Sequence, residues 1–350
     1  MLEDKSQEFT PISKLGEFGL IKHLTKHFQI LQDSTKISVG DDAAVIDPGN
    51  KKVVVSTDML AEGVHFNLGY VPLKHLGYKA VVVNLSDIAA MNAVPTQILV
   101  SVAVSNRFPV EALDEIYAGI ALACNRYKVD LIGGDTTSSN AGLVISITAI
   151  GLADEDKITR RNDAKPNDLL IVTGDLGGAY MGLQILEREH SVYLANPNMQ
   201  PEMEGYDYIL ERQLKPEART DIRKKLEELD ILPTSMIDVS DGLASEILHL
   251  SDQSKVGFHL YEEKIPMDSV TISTAEELNL NPAMAALNGG EDYELLFTIN
   301  PNDFEKIRNH PDFTIIGHAT ETIDNFLIAR GSNQLIPLTA QGWDAFLNKE

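Results

Sequence analysis

The chain has 350 residues, 43% hydrophobic and 23% charged, with 52 acidic against 29 basic side chains, a net charge of −23 and a single cysteine. That length exceeds the roughly 250–300 residues at which one core stops growing, so two domains are expected. The charge argues against a nucleic-acid backbone or an anionic membrane as partner, and one cysteine excludes internal disulfides and cysteine-cluster metal sites. An anionic substrate would need metal ions to mask the charge. The opening segment MLEDKSQEFT lacks the apolar core of a signal peptide. The longest near-apolar run, Gly142 to Ala153, is too short to span a bilayer. The expected location is the cytoplasm.

In chain order, Phe18, Ile21, Leu24, Phe28 and Leu31 recur at helical spacing, which predicts a helix from Gly16 to Leu31. Gly40-Asp41-Asp42 then sets two carboxylates after a residue that lets the chain turn. Val53-Val54-Val55 reads as a buried strand ending on Ser56-Thr57-Asp58, oxygen donors suited to a hard divalent cation such as Mg²⁺. Each piece alone reads first as a turn and an ordinary strand terminus; together, and echoed further along the chain, they favour a metal site. A helix is predicted from Pro72 to about Ala93, on which Asn84 and Asp87 share a face. Their spacing fits a solvent-exposed pair as well as one that binds something. Ile98 to Val104 reads as a strand. Pro109 to Tyr127 reads as an amphipathic helix with Leu113, Ile116, Tyr117, Ile120 and Cys124 on its stripe, which makes Cys124 a buried hydrophobe. Asp130 to Thr137, with Gly133-Gly134 before Asp135, ends a strand in another glycine-plus-acid step. Leu143 to Ile150 closes the first half.

The polar connection Asp154 to Asp168, with Arg160-Arg161, marks a domain boundary between 1–152 and 153–350. The arginine pair reads as a solvated linker or as a phosphate clamp. Strand Leu169 to Thr173 runs into Gly174-Asp-Leu-Gly-Gly178, a turn whose amides can hold an anion but which lacks GxGxxG. Ser191 to Tyr206 reads as a surface excursion and Pro216 to Leu229 as a charged helix. Ile237 to Leu243 repeats the opening chemistry with Asp238, Ser240 and Asp241, of which Asp241 could be a helix N-cap. Gly289 to Glu294 is a further glycine-plus-acid turn, where Glu291 and Asp292 could be exposed turn charges.

Asp41, Asp42, Asp47, Asp58, Asp87, Asp135, Asp238 and Asp241 thus fall on junctions or one helix face. Massed without counterions they would repel, and several Mg²⁺ ions carrying a polyphosphate would resolve this. Neither GxxxxGK[ST], nor a protein-kinase catalytic loop, nor HExxH, nor GxSxG occurs. Phosphoryl transfer by metals and positioning is the chemistry left.

GEFGLI, GDDAAVI, STDMLAEGVHF, KAVVVNLSDIAAMNAVP, LIGGDTT, IDVSDGL and GGEDYEL, in that order, resemble the thiamine-monophosphate kinase family. Its wider superfamily includes aminoimidazole ribonucleotide synthetase and selenophosphate synthetase. The resemblance implies an α/β (α+β), two-domain PurM-like architecture. The N-terminal domain would form a β-barrel at a homodimer interface, and the C-terminal α/β domain would complete the site. It implies transfer from ATP to thiamine monophosphate, giving thiamine diphosphate, with several Mg²⁺ ions. By motif, Asp42, Ser56, Thr57, Asp58, Asp87, Asp135, Asp238 and Asp241 would hold Mg²⁺, and Tyr117, Gly134, Asp135, Arg161 and Ser240 would contact ATP. His65, Glu291 and Trp343 would contact thiamine monophosphate. No covalent nucleophile is implied. Asn92 stands where the family has glycine, and Ser191 to Tyr206 is longer than the family pattern. Two rivals remain: a sister enzyme activating another acceptor with ATP, and a non-enzymatic acidic cation-binding protein.

Overall fold

The computed structural model describes residues 9–40 and 42–341; Asp41 and Trp343 lie outside the described residues. The chain divides into two compact units. The first holds the chain up to Asn50, Val55–Asn84 and Pro95–Gly151, and the second holds Lys51–Val54, Leu85–Val94 and the chain from Leu152 onward.

Elements of the first unit run α1 (Gly16–Thr25), β1 (Thr35–Ile37), β2 (Val45–Ile46), β3 (Lys52–Ala61), α2 (Leu73–Ala90), β4 (Val94–Val104), α3 (Val110–Tyr127), β5 (Asp130–Ser138) and β6 (Leu143–Ala153), with β3, α2, β4 and β6 sharing segments with the second. β1 and β2 form a two-stranded antiparallel sheet, and the other strands a four-stranded sheet in the order β3-β6-β4-β5. β3 and β5 are its edges. No closed barrel is found among the described residues. The stripe of α3 is buried as its spacing predicts, Cys124 included. Helices α2 and α3 cross where both carry glycine. A Cβ on Gly77 would collide with the Ile116 carbonyl, and one on Gly119 with the Lys74 carbonyl.

Three expectations are corrected here. Helix α1 stops at Thr25 and buries Leu20 and Leu24, while Phe18 is 83% exposed. The chain breaks helix because the Leu31 and Gln32 amides donate to the buried Asp130 carboxylate at 2.6 and 3.1 Å. Strand β3 is not buried, with Val53 and Val55 48% and 59% exposed, and it does not end on Ser56-Thr57-Asp58 but continues to Ala61, so these donors lie mid-strand. β5 likewise runs through Gly133-Gly134-Asp135. A Cβ on Gly134 would collide with the Val100 backbone, so that glycine serves strand packing.

The second unit continues β7 (Leu169–Thr173), α4 (Gly178–Ala195), α5 (Asp207–Leu214), α6 (Asp221–Glu228), β8 (Ser235–Asp238), α7 (Leu243–Ser254), β9 (Gly257–Tyr261), α8 (Ser269–Glu277), α9 (Pro282–Asn288), β10 (Leu295–Ile299), α10 (Phe304–Ile307), β11 (Phe313–Thr320), β12 (Phe326–Ile328) and β13 (Leu335–Pro337). Its seven strands lie in the order β13-β12-β9-β11-β7-β10-β8, antiparallel except for the parallel pair β12–β9. Both faces are covered, so every residue of β10 is buried. Leu296 points into a core with Leu243, Ile247 and Leu250 of α7, while Leu295, Phe297 and Ile299 join Ile222 and Leu226 of α6. The excursion after His190 begins as the last turns of α4, and the chain is then tied back where the Glu202 amide donates to the buried Glu189 carboxylate at 2.9 Å. Among the described residues, no helix is long and apolar enough to cross a membrane.

Candidate functional site

The antiparallel register of the second sheet decides which turns meet. Leu295 pairs with Asp238, and Leu296 with Val172. The carboxyl ends of β7 and β8 therefore lie beside the amino end of β10. This gathers the turn after β7, the Val239–Gly242 turn and the Gly289–Glu294 turn at one end of the sheet. The turns are joined by backbone: Val239 donates to the Glu294 carbonyl at 2.7 Å, Tyr293 to Val239 at 2.9 Å, and Glu291 to Ser240 at 2.7 Å.

The glycine-rich turn before α4 holds an anion, but an internal one. The Asp292 carboxylate accepts from the Gly177 and Ala179 amides at 2.7 and 3.2 Å. Asp292 is thus a buried helix-terminus anion and not an exposed turn charge, with only 1% of its surface accessible. Burial pushes its carboxyl up to about 6, against the pull of Arg212 and the two amides. Arg212 also pairs with Glu294 at 3.0 Å and donates to the Asp292 carbonyl at 3.2 Å. Burial opposes the Arg212 charge, but Glu294, Asp292 and Asp175 outweigh it and raise its pKa.

Beside this lies a cluster of acids. Asp238 is buried and accepts from the Ser86 hydroxyl at 2.7 Å. Burial first, then the charge of Asp87, push its carboxyl up to about 7, while Ser86 and Arg161 act in the opposite direction. Asp241 is raised by burial, countered by His249 and Arg161. It is not the N-cap of α7; Gly242 holds that position. The Asp241 amide instead donates to Glu246 at 3.0 Å, and the Ser240 hydroxyl reaches the same oxygen at 3.5 Å. Burial pushes Glu246 up to about 8. Arg161 thus faces Asp238, Asp241 and Glu246, and the neighbouring Arg160 carbonyl is fixed by the Met236 amide at 3.0 Å.

In the first unit, Asp42 and Asp58 are exposed and Ser56 half-buried. The Thr57 hydroxyl donates to the Ile147 carbonyl at 3.1 Å, and the Asp58 amide donates to Asn84 Oδ1 at 2.9 Å. Asn84 is 1% exposed, so it was never half of a solvated pair with Asp87. His65 Nδ1 accepts from the Ala61 amide at 3.0 Å, which puts the neutral ring's proton on Nε2. Asp135 is exposed, its Oδ1 accepting from the Thr136 amide at 2.9 Å. Tyr117 is 7% exposed and edge-on to Phe28, and burial pushes its phenol up to about 12 against a hydrogen bond with Thr136. Asp58 and Asp135 sit on opposite edge strands, three strand spacings or roughly 14 Å apart across the sheet.

The structure therefore brings Asp87, Asp238, Ser240, Asp241, Arg161 and Glu291 toward one sheet end, and places Asp58 and Asp135 on separate strands. Among the described residues, no three His, Cys, Asp or Glu side chains form a group able to hold a metal ion alone. The donor chemistry nonetheless fits Mg²⁺: the oxygens are hard, and the mutual repulsion of Asp87 and Asp238 in a buried setting is what a divalent cation relieves. Pairs of carboxylates suit ions whose shells are completed by phosphate and water. Sequence reasoning missed Ser86 and Glu246. Glu246 had a signal, an acid in the first turn of a helix following SDG; a buried serine on an apolar helix has none.

The family model "AIR synthase related protein, N-terminal domain" matches residues 40–153. Among curated relatives, thiamine-monophosphate kinase of Bacillus subtilis (strain 168) is 33% identical over 338 residues, covering 95% of this chain and 100% of the relative. That of Escherichia coli (strain K12) is 31% identical over 340 residues, covering 95% and 98%. The solved structure of AaThiL complexed with AMPPCP and TMP superposes with a TM-score of 0.74 at 30% identity, covering 97% of this chain and 99% of that one. Hydrogenase maturation protein HypE in complex with ATP, at 18% identity and a TM-score of 0.71, shares the fold, covering 94% and 93%. The chain belongs to the thiamine-monophosphate kinase family.

Proposed function

We propose that the protein transfers the γ-phosphoryl group of ATP to the phosphate of thiamine monophosphate, forming thiamine diphosphate and ADP by direct in-line displacement. One observation carries the reading: identity of 33% to a thiamine-monophosphate kinase across all of that relative and 95% of this chain. The sheet-end geometry agrees with it, because clustered acids beside the Arg161 charge suit a polyanion brought in with cations.

The acceptor phosphate is already an anion at neutral pH and needs little general-base help; the task is to align two like-charged groups. Asp42, Ser56, Thr57, Asp58, Asp87, Asp135, Asp238 and Asp241 would hold Mg²⁺, which when bound neutralises phosphate charge. The separation of β3 and β5 supports several ions along a polyphosphate over one ion. Arg161 and Ser240 would position the ATP phosphates, with Gly134, Asp135 and Tyr117 as the other ATP contacts. His65, its Nδ1 held by the Ala61 amide, Glu291 and Trp343 would bind thiamine monophosphate. Residues 1–152 would form the nucleotide, metal and dimerisation domain, and 153–350 the domain completing the site.

The edge strand β3 supports a homodimer in which a barrel would be shared between protomers. Its Val55 and Met59 are 59% and 58% exposed, an apolar edge that a second copy would cover. The reaction is tested by a phosphorus NMR time course with protein, ATP, Mg²⁺ and thiamine monophosphate. A thiamine diphosphate doublet growing with ADP, and abolished by EDTA, is expected. Unchanged ATP would overturn the reading and send the search to other acceptors.

A further inference from the structure

Helix α5 lies against the Gly289–Glu294 turn through two adjacent side chains. Arg212 holds the carboxyl side of the turn, donating to the Asp292 carbonyl and pairing with Glu294. Gln213 is 5% exposed, and its Nε2 donates to the Glu291 carboxylate at 2.9 Å. The approach of α5 is set by α4, where a Cβ on Gly182 would collide with the Ile209 carbonyl and lie 2.9 Å from the Gln213 Cβ. Glu291 and Tyr293 both hold left-handed backbone, with φ of 60° and 52°. A turn that keeps two non-glycine residues there is over-determined by its surroundings, a condition found at functional sites.

From this geometry we infer that Gln213 is a positioning residue for Glu291. It commits one carboxylate oxygen to a buried amide and so directs the carboxylate toward the bound substrate. The chemistry of the partner matters. A neutral amide fixes a carboxylate's direction without adding the countercharge an arginine would bring, and the adjacent cation, Arg212, is directed to Asp292 and Glu294 instead. A carboxylate held in this way suits a cationic ring, and thiamine monophosphate carries one in its thiazolium. The inference rests on the proposed contact between Glu291 and thiamine monophosphate.

The test is steady-state kinetics on the full chain with Gln213→Met, which keeps bulk and loses the donor, Gln213→Glu, which keeps shape and loses the donor, Glu291→Gln, and the Met/Gln double variant. Loss of a hydrogen bond to a charged group predicts a KM for thiamine monophosphate raised roughly tenfold in each Gln213 variant, with the KM for ATP unchanged. In the Glu291→Gln background the Gln213→Met substitution should add nothing further. An unchanged KM for thiamine monophosphate in both Gln213 variants, or losses that simply add in the double variant, overturns the inference. If neither Gln213 variant folds, Gln213 is a structural residue and the inference falls. Should Glu291→Gln itself leave that KM unchanged, the fault lies with the substrate contact assigned to Glu291.

Discussion

Asn84 on α2 accepts the backbone N–H of Asp58 on β3 at 2.9 Å, while its own amide donates to the Ala80 carbonyl at 3.0 Å. A buried side chain thus fixes the backbone of an exposed acid. The pairing holds the Asp58 backbone through its amide and not through its carboxylate, so a change confined to the carboxylate leaves that anchor in place.

Asp58→Asn is expected to lower turnover by about 100-fold or more and to shift the melting temperature by no more than about 2 °C, as exposed substitutions do. Turnover within a few-fold of wild type would remove Asp58 from the ligand set. Kinetics and thermal unfolding on one preparation decide it.

Asp292 gives a stability prediction with a definite sign. Its folded carboxyl is raised from 3.8 to about 6, burial being the main cause. A raised pKa means that its contribution is fully present below the unfolded value and is lost as pH rises through about 6. Relative to Asp292→Asn, the wild-type urea midpoint should therefore decline between about pH 4 and pH 6.5 and run parallel above that. A difference that grows with pH would mean that the Gly177 and Ala179 amides and Arg212 outweigh burial.

Cys124 is 3% exposed, and burial, with the nearby Asp130 charge, pushes its thiol up to about 12. Thiolate is the reactive form, so the folded protein should not react with an aromatic disulfide reagent at pH 8 over minutes. One equivalent should react after unfolding in urea. Rapid labelling of the native protein would contradict the burial of α3 against its neighbours.

Asn92 explains its own departure from the family glycine. Its φ is 56°, left-handed backbone that asparagine tolerates better than other side-chain-bearing residues, and its amide donates to the Lys157 carbonyl at 2.9 Å. Asn92→Ala should cost about 1–2 kcal/mol from the conformation alone. Asn92→Gly should cost less, because it gives up only the hydrogen bond. Denaturant midpoints of the two variants test the order.

The α3 stripe, the β4 strand and the seven ordered motifs were legible because each depends on neighbours in sequence: a 3.6-residue or two-residue period, or a glycine followed by acids. The limits of α1 and β3 were not. The expected helix does not reach Leu31, whose amide is captured by Asp130, 99 residues away. Ser56-Thr57-Asp58 stays within a strand because β6 supplies partners such as the Ile147 carbonyl. The glycine-rich turn before α4 read as an anion site, and it is one, but only the fold shows that Asp292 fills it. The sequence by itself therefore determined which residue types are present and the family they belong to. The tertiary structure decided which of the acids meet, because the antiparallel pairing of β10 with β7 and β8 brings together turns far apart in the chain, and no local pattern encodes strand order.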